Sequence, residues 1–268
     1  MLDILNAGNR IMNTYVYKAP AGYVMIDTGY EHSMKNVERK LRSNGLSFSD
    51  IQYVFLTHAH DDHAGFLNEL MNRYPDLRVI VNPASIPVLR KGQNRFEGGC
   101  SSLTAWVFCR MMSLWGKGKH LFPRLDEHNS ERMIKIDDSS KKQLEELLGG
   151  RIIDTPGHTR DSVSLQVGKQ VFCGDAAMNG FPSSHRITIW VEKASDFEAS
   201  WKKLLGEDIS TVVPAHGKPF PVADLRKNIG FVSQIKLRAL KRNAKDRKAA
   251  ALRFAAPKTR YASNADSM

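Results

Sequence analysis

Cysteine is scarce in this 268-residue chain: Cys100, Cys109 and Cys173 are the whole supply, and their spacing builds no paired framework. An odd, unpatterned set argues against a disulfide-stapled secreted scaffold and fits a reducing cytoplasm. Cys173 lies in an apolar run and reads as a small buried hydrophobe. No apolar run approaches the eighteen or so residues that a membrane span requires. The segment Met1–Asn6 has no basic stretch leading into an apolar one, so no secretory leader is evident and a cytoplasmic location is expected. Repeats at solenoid period and low-complexity linkers are also missing, which excludes repeat arrays. Acidic residues are the minority, 28 against 39 lysines and arginines, for a net charge of +11.

That excess is unevenly placed. Residues 234–268 hold ten Lys or Arg and two Asp, a local charge of +8, so the remaining body is near +3. A nucleic-acid substrate is therefore not expected of the body, and the basic stretch reads as an appendix. Lys236-Leu237-Arg238-Ala239-Leu240-Lys241-Arg242 predicts the start of a helix, with Leu237, Leu240, Ala244 and Ala251 on one face and a frayed end beyond Pro257. The hydrophobic share of 42% with 25% charged residues suits one sizeable core. The expected division is one folded domain over 1–233 and a basic helix and tail over 234–268.

What the chain does have is a concentrated group of ligand-type side chains. Thr57-His58-Ala59-His60-Asp61-Asp62-His63-Ala64-Gly65 places three histidines and two carboxylates within six residues, directly after the apolar run Tyr53–Leu56. Imidazole and carboxylate are the ligand set of zinc and similar first-row metals. Three later positions follow predicted strands in the same way: His158 in Thr155-Pro156-Gly157-His158, Asp175 after Cys173-Gly174, and His216 in Pro214-Ala215-His216-Gly217. Asp27 stands in Met25-Ile26-Asp27-Thr28-Gly29 after another. Taken singly, each has a bland reading as a solvated or core histidine, a turn aspartate or a cap. Asp61 is read as a solvated carboxylate without a ligand role, and His32, His120, His128 and His185 as surface or loop residues.

The order of these five motifs resembles the metallo-β-lactamase superfamily, over roughly residues 10–230. The resemblance implies an α/β fold, a four-layer αββα sandwich with the site at one edge of its two sheets. It implies two metal ions: His58, His60 and His158 on the first, Asp62, His63 and His216 on the second, and Asp175 bridging. Zinc is the expected metal, with iron and manganese as alternatives. Asp27 would orient the ligand loop by accepting the outward N–H of a ligand histidine. Asp62 is the candidate catalytic residue that orients a hydroxide or relays its proton.

The implied activity is metal-dependent hydrolysis of an ester, thioester or lactone. A bridging aspartate at 175 looks like the glyoxalase-II and lactonase branch. The alternatives are a small-molecule phosphodiesterase and a mononuclear-iron sulfur dioxygenase. The segment from about 90 to 131 breaks the alternation of strands and helices. Its Leu103, Trp106, Val107, Met111, Met112, Leu114 and Trp115, followed by Gly116-Lys117-Gly118-Lys119, predict an apolar helix and a basic loop. This insertion is either a lid over a small-molecule substrate or a homodimer contact. Residues 176–188, with Phe181-Pro182 and Arg186, form a second candidate lid.

Overall fold

The computed structural model describes residues 3–240. In chain order the first strands are β1 (Ile4–Asn6), β2 (Tyr15–Ala19), β3 (Gly22–Ile26), β4 (Ile51–Leu56) and β5 (Arg78–Val81). Next come β6 (Gly99–Cys100), β7 (Met133–Lys135), β8 (Arg151–Asp154), β9 (Val163–Val167) and β10 (Gln170–Gly174). The last are β11 (Trp190–Val191), β12 (Thr211–Pro214) and β13 (Phe220–Pro221). The helices are α1 (Met34–Arg42), α2 (Leu67–Arg73), α3 (Ile86–Lys91), α4 (Leu103–Leu114), α5 (Lys141–Leu148), α6 (Ala194–Gly206) and α7 (Ala223–Val232).

These build a six-stranded sheet, β1-β2-β3-β4-β5-β7, and a five-stranded sheet, β13-β12-β10-β9-β8. β3, β4, β5 and β7 run parallel, and so do β10 and β12. Alternation along each strand makes the layers. Val24, Ile26, Phe55 and Ile80 of the first sheet meet Ile152, Leu165, Phe172 and Val213 of the second in one buried cluster. The intervening residues Met25, Val54, Leu56, Val79 and Val81 face α1, α2 and α3, through Val37, Leu41, Leu70 and Leu89. On the far side Ile153, Val171 and Val212 pack against Phe197, Trp201 and Leu204 of α6 and Leu225 of α7. Strands buried on both faces read as nearly continuous apolar runs, as these do. The result is the four-layer αββα sandwich. Trp201 is wholly buried and its indole N–H donates to Ala176 O at 2.7 Å, so it anchors α6 against the segment that carries Asp175.

One feature departs from expectation. The helix predicted from Lys236 is not formed in residues 236–240, which are extended. There the Arg238 N–H and C=O exchange hydrogen bonds with Cys100 of β6, at 3.0 and 2.9 Å, so a strand-like pairing wins over local helical periodicity. The rest of that helix and tail lies outside the described residues. The segment 90–131 does hold an apolar helix, α4, but much of its apolar surface faces outward: Leu103, Val107, Met111 and Leu114 are all exposed. Among the described residues no helix is long and apolar enough to cross a membrane.

Candidate metal centre

The carboxyl ends of β3, β4, β8, β10 and β12 lie at one edge of the sandwich, and each delivers one of the motifs. Gly174 shows how tightly the strands meet there. It adopts φ +51°, and a Cβ on it would fall 2.5 Å from Thr57 Oγ1. Only glycine tolerates both the backbone and the contact. Asp27 is itself left-handed, at φ 57°, a conformation that aspartate accepts more readily than most residues.

The structure brings His58, His60, Asp62, His63, His158, Asp175 and His216 into one group. Their ligand atoms form three overlapping sets, each within 4.8 Å: His58-His60-His158, His58-His63-Asp175 and Asp62-His63-His216. His158 Nε2 lies 3.1 Å from both His58 Nε2 and His60 Nδ1. The outer His158 N–H is committed, since Nδ1 donates to Trp190 O at 2.7 Å. His158 Nε2 therefore presents a lone pair to the other two rings. On the other side His216 Nε2 is 3.1 Å from Asp62 Oδ2, while its Nδ1 donates to Ile11 O at 2.7 Å. His63 Nδ1 donates to Asp27 Oδ2 at 2.8 Å, which turns its Nε2 inward.

Asp175 stands between the two sets. Its Oδ2 is 3.6 Å from His158 Nε2, and its Oδ1 is 3.5 Å from His216 Nε2 and 3.7 Å from His63 Nε2. His63 Nε2 and Asp175 Oδ1 are buried with no hydrogen-bond partner. Buried polar atoms without partners are costly and rare. Converging lone pairs and orphaned carboxylate oxygens are the donor set that a cation satisfies, and the residues present fit such a group.

The electrostatics point the same way. Burial, reinforced by the neighbouring histidines, holds His58 well below the ordinary imidazole range, and burial with His158 does the same for His60. His158 is also lowered, by burial. Neutral imidazole is the form that binds metal. In the metal-free protein burial opposes protonation of His63, yet Asp27, Asp62 and Asp175 together outweigh it and push the ring up to about 9. For His216, too, burial opposes a charge, but Asp175 and Asp62 raise it to about 10. Burial disfavours the Asp62 carboxylate, and His63 and His216 more than compensate, so it stays ionised far below neutral pH.

A sign follows for metal binding. His63 and His216 are raised above the ordinary value of about 6.5, so their protonation stabilises the metal-free fold below that pH, and the benefit fades as pH rises through about 9 to 10. A cation must displace those protons. Binding is expected to release protons at pH 7.5 and to tighten as pH rises towards 9. Calorimetry in two buffers of different ionisation heat checks this, and equal heats in both would contradict it.

Several supporting residues were missed in the sequence. Asp161 is buried and accepts the Ala59 N–H at 2.9 Å and the Ser85 hydroxyl at 2.6 Å, which ties down the histidine loop. Its one sequence signal is its place three residues after His158. Tyr30, directly after Asp27-Thr28-Gly29, faces Asp62. That carboxylate, then burial, then Asp61 and Asp175 keep its phenol protonated. Asp61 is not simply solvated. It accepts from Asn94 Nδ2 at 2.6 Å and contacts His120 Nδ1 at 3.2 Å, which brings His120 to the rim of the site. Tyr30 and Asp61 also line an open cleft of about 530 Å³, together with Asn9, Glu31, His32 and Leu121. Asp27 takes the Thr57 N–H at 2.8 Å and the Thr57 hydroxyl besides the His63 ring. Asp27→Asn is expected to weaken metal retention by roughly 10- to 100-fold, the usual worth of such a partner. Competition with a chromogenic chelator checks it, and unchanged affinity would count against the orienting role.

Known proteins resemble this chain in sequence and fold. A sequence profile for the metallo-beta-lactamase superfamily matches residues 7–216. The metallo-beta-lactamase fold-containing protein ST1585 of Sulfurisphaera tokodaii is 30% identical over 171 residues, covering 62% of this chain and 57% of that protein. The chain thus spans little more than half the length of that relative. The probable metallo-hydrolase YflN of Bacillus subtilis is 25% identical over 203 residues, 74% of this chain and 69% of the other. Among solved structures, a di-iron-bound form of TTHA1623 superposes with a TM-score of 0.58 at 22% identity, covering 84% of this chain and 98% of that one. A metallo-beta-lactamase variant from Cronobacter sakazakii gives 0.60 at 18% identity, covering 95% and 94%. With a profile match across most of its length and the same four-layer fold, the chain belongs to the metallo-beta-lactamase superfamily.

Proposed function

We propose that the chain is a hydrolase that works with two divalent ions and cleaves an ester, thioester or lactone. His58, His60 and His158 would hold one ion, and Asp62, His63 and His216 the other, with Asp175 shared between them. When bound, such a pair supplies a hydroxide nucleophile near neutral pH and polarises the carbonyl under attack. The observation that carries this reading is the split of Asp175, one oxygen towards His158 and the other towards His216 and His63.

The chain's own residues do the rest. Asp27, Trp190 O and Ile11 O accept the outward N–H groups of His63, His158 and His216, which fixes tautomer and ring direction. Asp62 stays ionised, with Oδ2 3.1 Å from His216 Nε2 and Oδ1 3.8 Å from His63 Nε2, and its carboxylate would orient the attacking water or take its proton. The Tyr30 hydroxyl stands on the cleft side as a neutral donor.

The cleft supports an acyl substrate over a phosphodiester. Its lining includes the carboxylates Glu31 and Asp61 and neither lysine nor arginine, which is unfavourable to a phosphate anion. A mononuclear-iron dioxygenase would hold one ion with two histidines and an aspartate, and the assembled Asp62, His63 and His216 offer a further ligand set that the two-ion reading uses. Zinc is the expected metal, and the di-iron form of TTHA1623 makes iron the second to test. The experiment is metal analysis of the purified chain coupled to a panel of thioesters, lactones and phosphodiesters, with oxygen uptake on a persulfide followed in parallel. Turnover of acyl substrates without oxygen consumption is expected. Oxygen uptake without hydrolysis would replace this reading.

A further inference from the structure

Helix α4 carries an exposed apolar stripe that the proposed hydrolysis does not use. Leu103, Val107, Met111 and Leu114 recur on one face of the helix, and Trp115 continues it; exposures run from 39% at Met111 to 77% at Leu114. Phe181, 81% exposed, joins the patch, its ring meeting that of Phe108 edge-on at 6.0 Å. Soluble proteins rarely leave so contiguous an apolar surface without a partner. Basic residues border it. Arg110 lies on the same helix and Lys117 follows it, both exposed, with half-buried Lys119 beyond.

The strongly charged stretch of the chain starts at the same place. Trp106 Nε1 on α4 donates to Ala239 O at 3.2 Å, and Arg238 pairs with Cys100 just before α4. The described residues therefore end beside the stripe, and residues 241–268, which follow them in sequence, hold eight Lys or Arg and two Asp.

We propose that this face docks on an anionic lipid surface, with α4 lying in the interfacial plane. Exposed leucine, methionine and a terminal tryptophan, rimmed by Arg110, Lys117 and Lys119, offer apolar contact for acyl chains and cations for anionic headgroups. Clustered basic residues next to it are drawn to anionic headgroups. A second copy is a poorer occupant, because two such faces would bring Arg110, Lys117 and Lys119 of each against those of the other. A nucleic acid would neutralise the charge and leave Leu114, Trp115 and Phe181 uncovered. Docking is independent of the reaction proposed above, so either can fail alone.

The test is co-sedimentation of the full chain with vesicles of phosphatidylglycerol or of phosphatidylcholine. Phosphatidylglycerol vesicles are expected to bind at least about tenfold more strongly, with binding reduced on raising salt from about 0.1 to 0.5 M. Leu114→Ser combined with Trp115→Ser should lower binding by at least about tenfold with an unchanged melting curve. If that variant unfolds, Lys117→Gln with Lys119→Gln reads the same face through charge and should halve binding or better. Equal binding to both lipids, or full binding by the double serine variant, would overturn the proposal. So would a dimer in analytical ultracentrifugation that the serine variant dissociates while wild type ignores vesicles.

Discussion

Asp175→Ala is expected to lower turnover roughly a thousandfold, at the upper end of what one preorganised polar group contributes. Its two oxygens reach separate nitrogen sets, at 3.6 Å on one side and 3.5 Å on the other, so a single truncation disturbs both. His60→Ala should act comparably through one set alone. The metal-free fold should lose stability at pH 7: Asp175 is the chief group that raises His216 and one of three that raise His63, and alanine removes that attraction along with the unpartnered Oδ1. The melting temperature without metal should thus fall at pH 7 and recover towards wild type as pH rises through about 9 to 10, where both rings lose their protons. The metal-loaded proteins should differ by much more, because binding to the folded state alone adds stability by mass action. Parallel melting curves with and without metal, beside activity on the best acyl substrate, check both parts. Undiminished hydrolysis would remove Asp175 from the site.

Gly174→Ala is the second large effect, and it acts through the backbone. At φ +51° a Cβ is strained wherever it sits, and here it would also press on Thr57 Oγ1 at 2.5 Å and Thr57 Cβ at 2.7 Å. Thr57 cannot yield freely, since its hydroxyl and N–H both bind Asp27. Relief must therefore come from shifting β4 against β10, the two strands that aim the histidine loop and Asp175. A cost of about 2–4 kcal/mol is expected from strain and overpacking combined, or a melting temperature lower by roughly 4–16 °C. Metal affinity should fall with it, and the stability loss without metal should persist at pH 10, unlike that of Asp175→Ala. Thermal denaturation and chelator competition distinguish the two. A fully stable Gly174→Ala chain would mean that the close approach of these loops is not needed.

Much of this was legible before any coordinates. The strands that lead into the site are nearly continuous apolar runs of four to six residues, and ligand-type residues sit just past their ends, so the edge where they meet could be anticipated. His58, His60 and His63 lie in one loop, and spacing alone marks them. His158, Asp175 and His216 need the parallel pairing of β10 with β12 and the stacking of two sheets to reach that loop; the family resemblance supplied that convergence. Asp161, Asn94 and Tyr30 were illegible for the same reason in reverse. They belong to no motif, and what each does depends on a neighbour distant in the chain, as when Asp161 accepts from Ala59. Residues 236–240 misled because Leu237 and Leu240 have helical spacing. The Arg238 backbone instead pairs with Cys100, a partner that periodicity cannot reveal.

The most direct measurement is a titration of the metal-free full chain with a spectroscopically visible divalent ion such as cobalt, alongside Asp175→Ala. Wild type should take up about two ions per chain, as a dinuclear site requires, and the variant should lose the second. A single ion bound equally by both proteins, or none at all, would contradict the convergence of these seven side chains on a shared pair of cations.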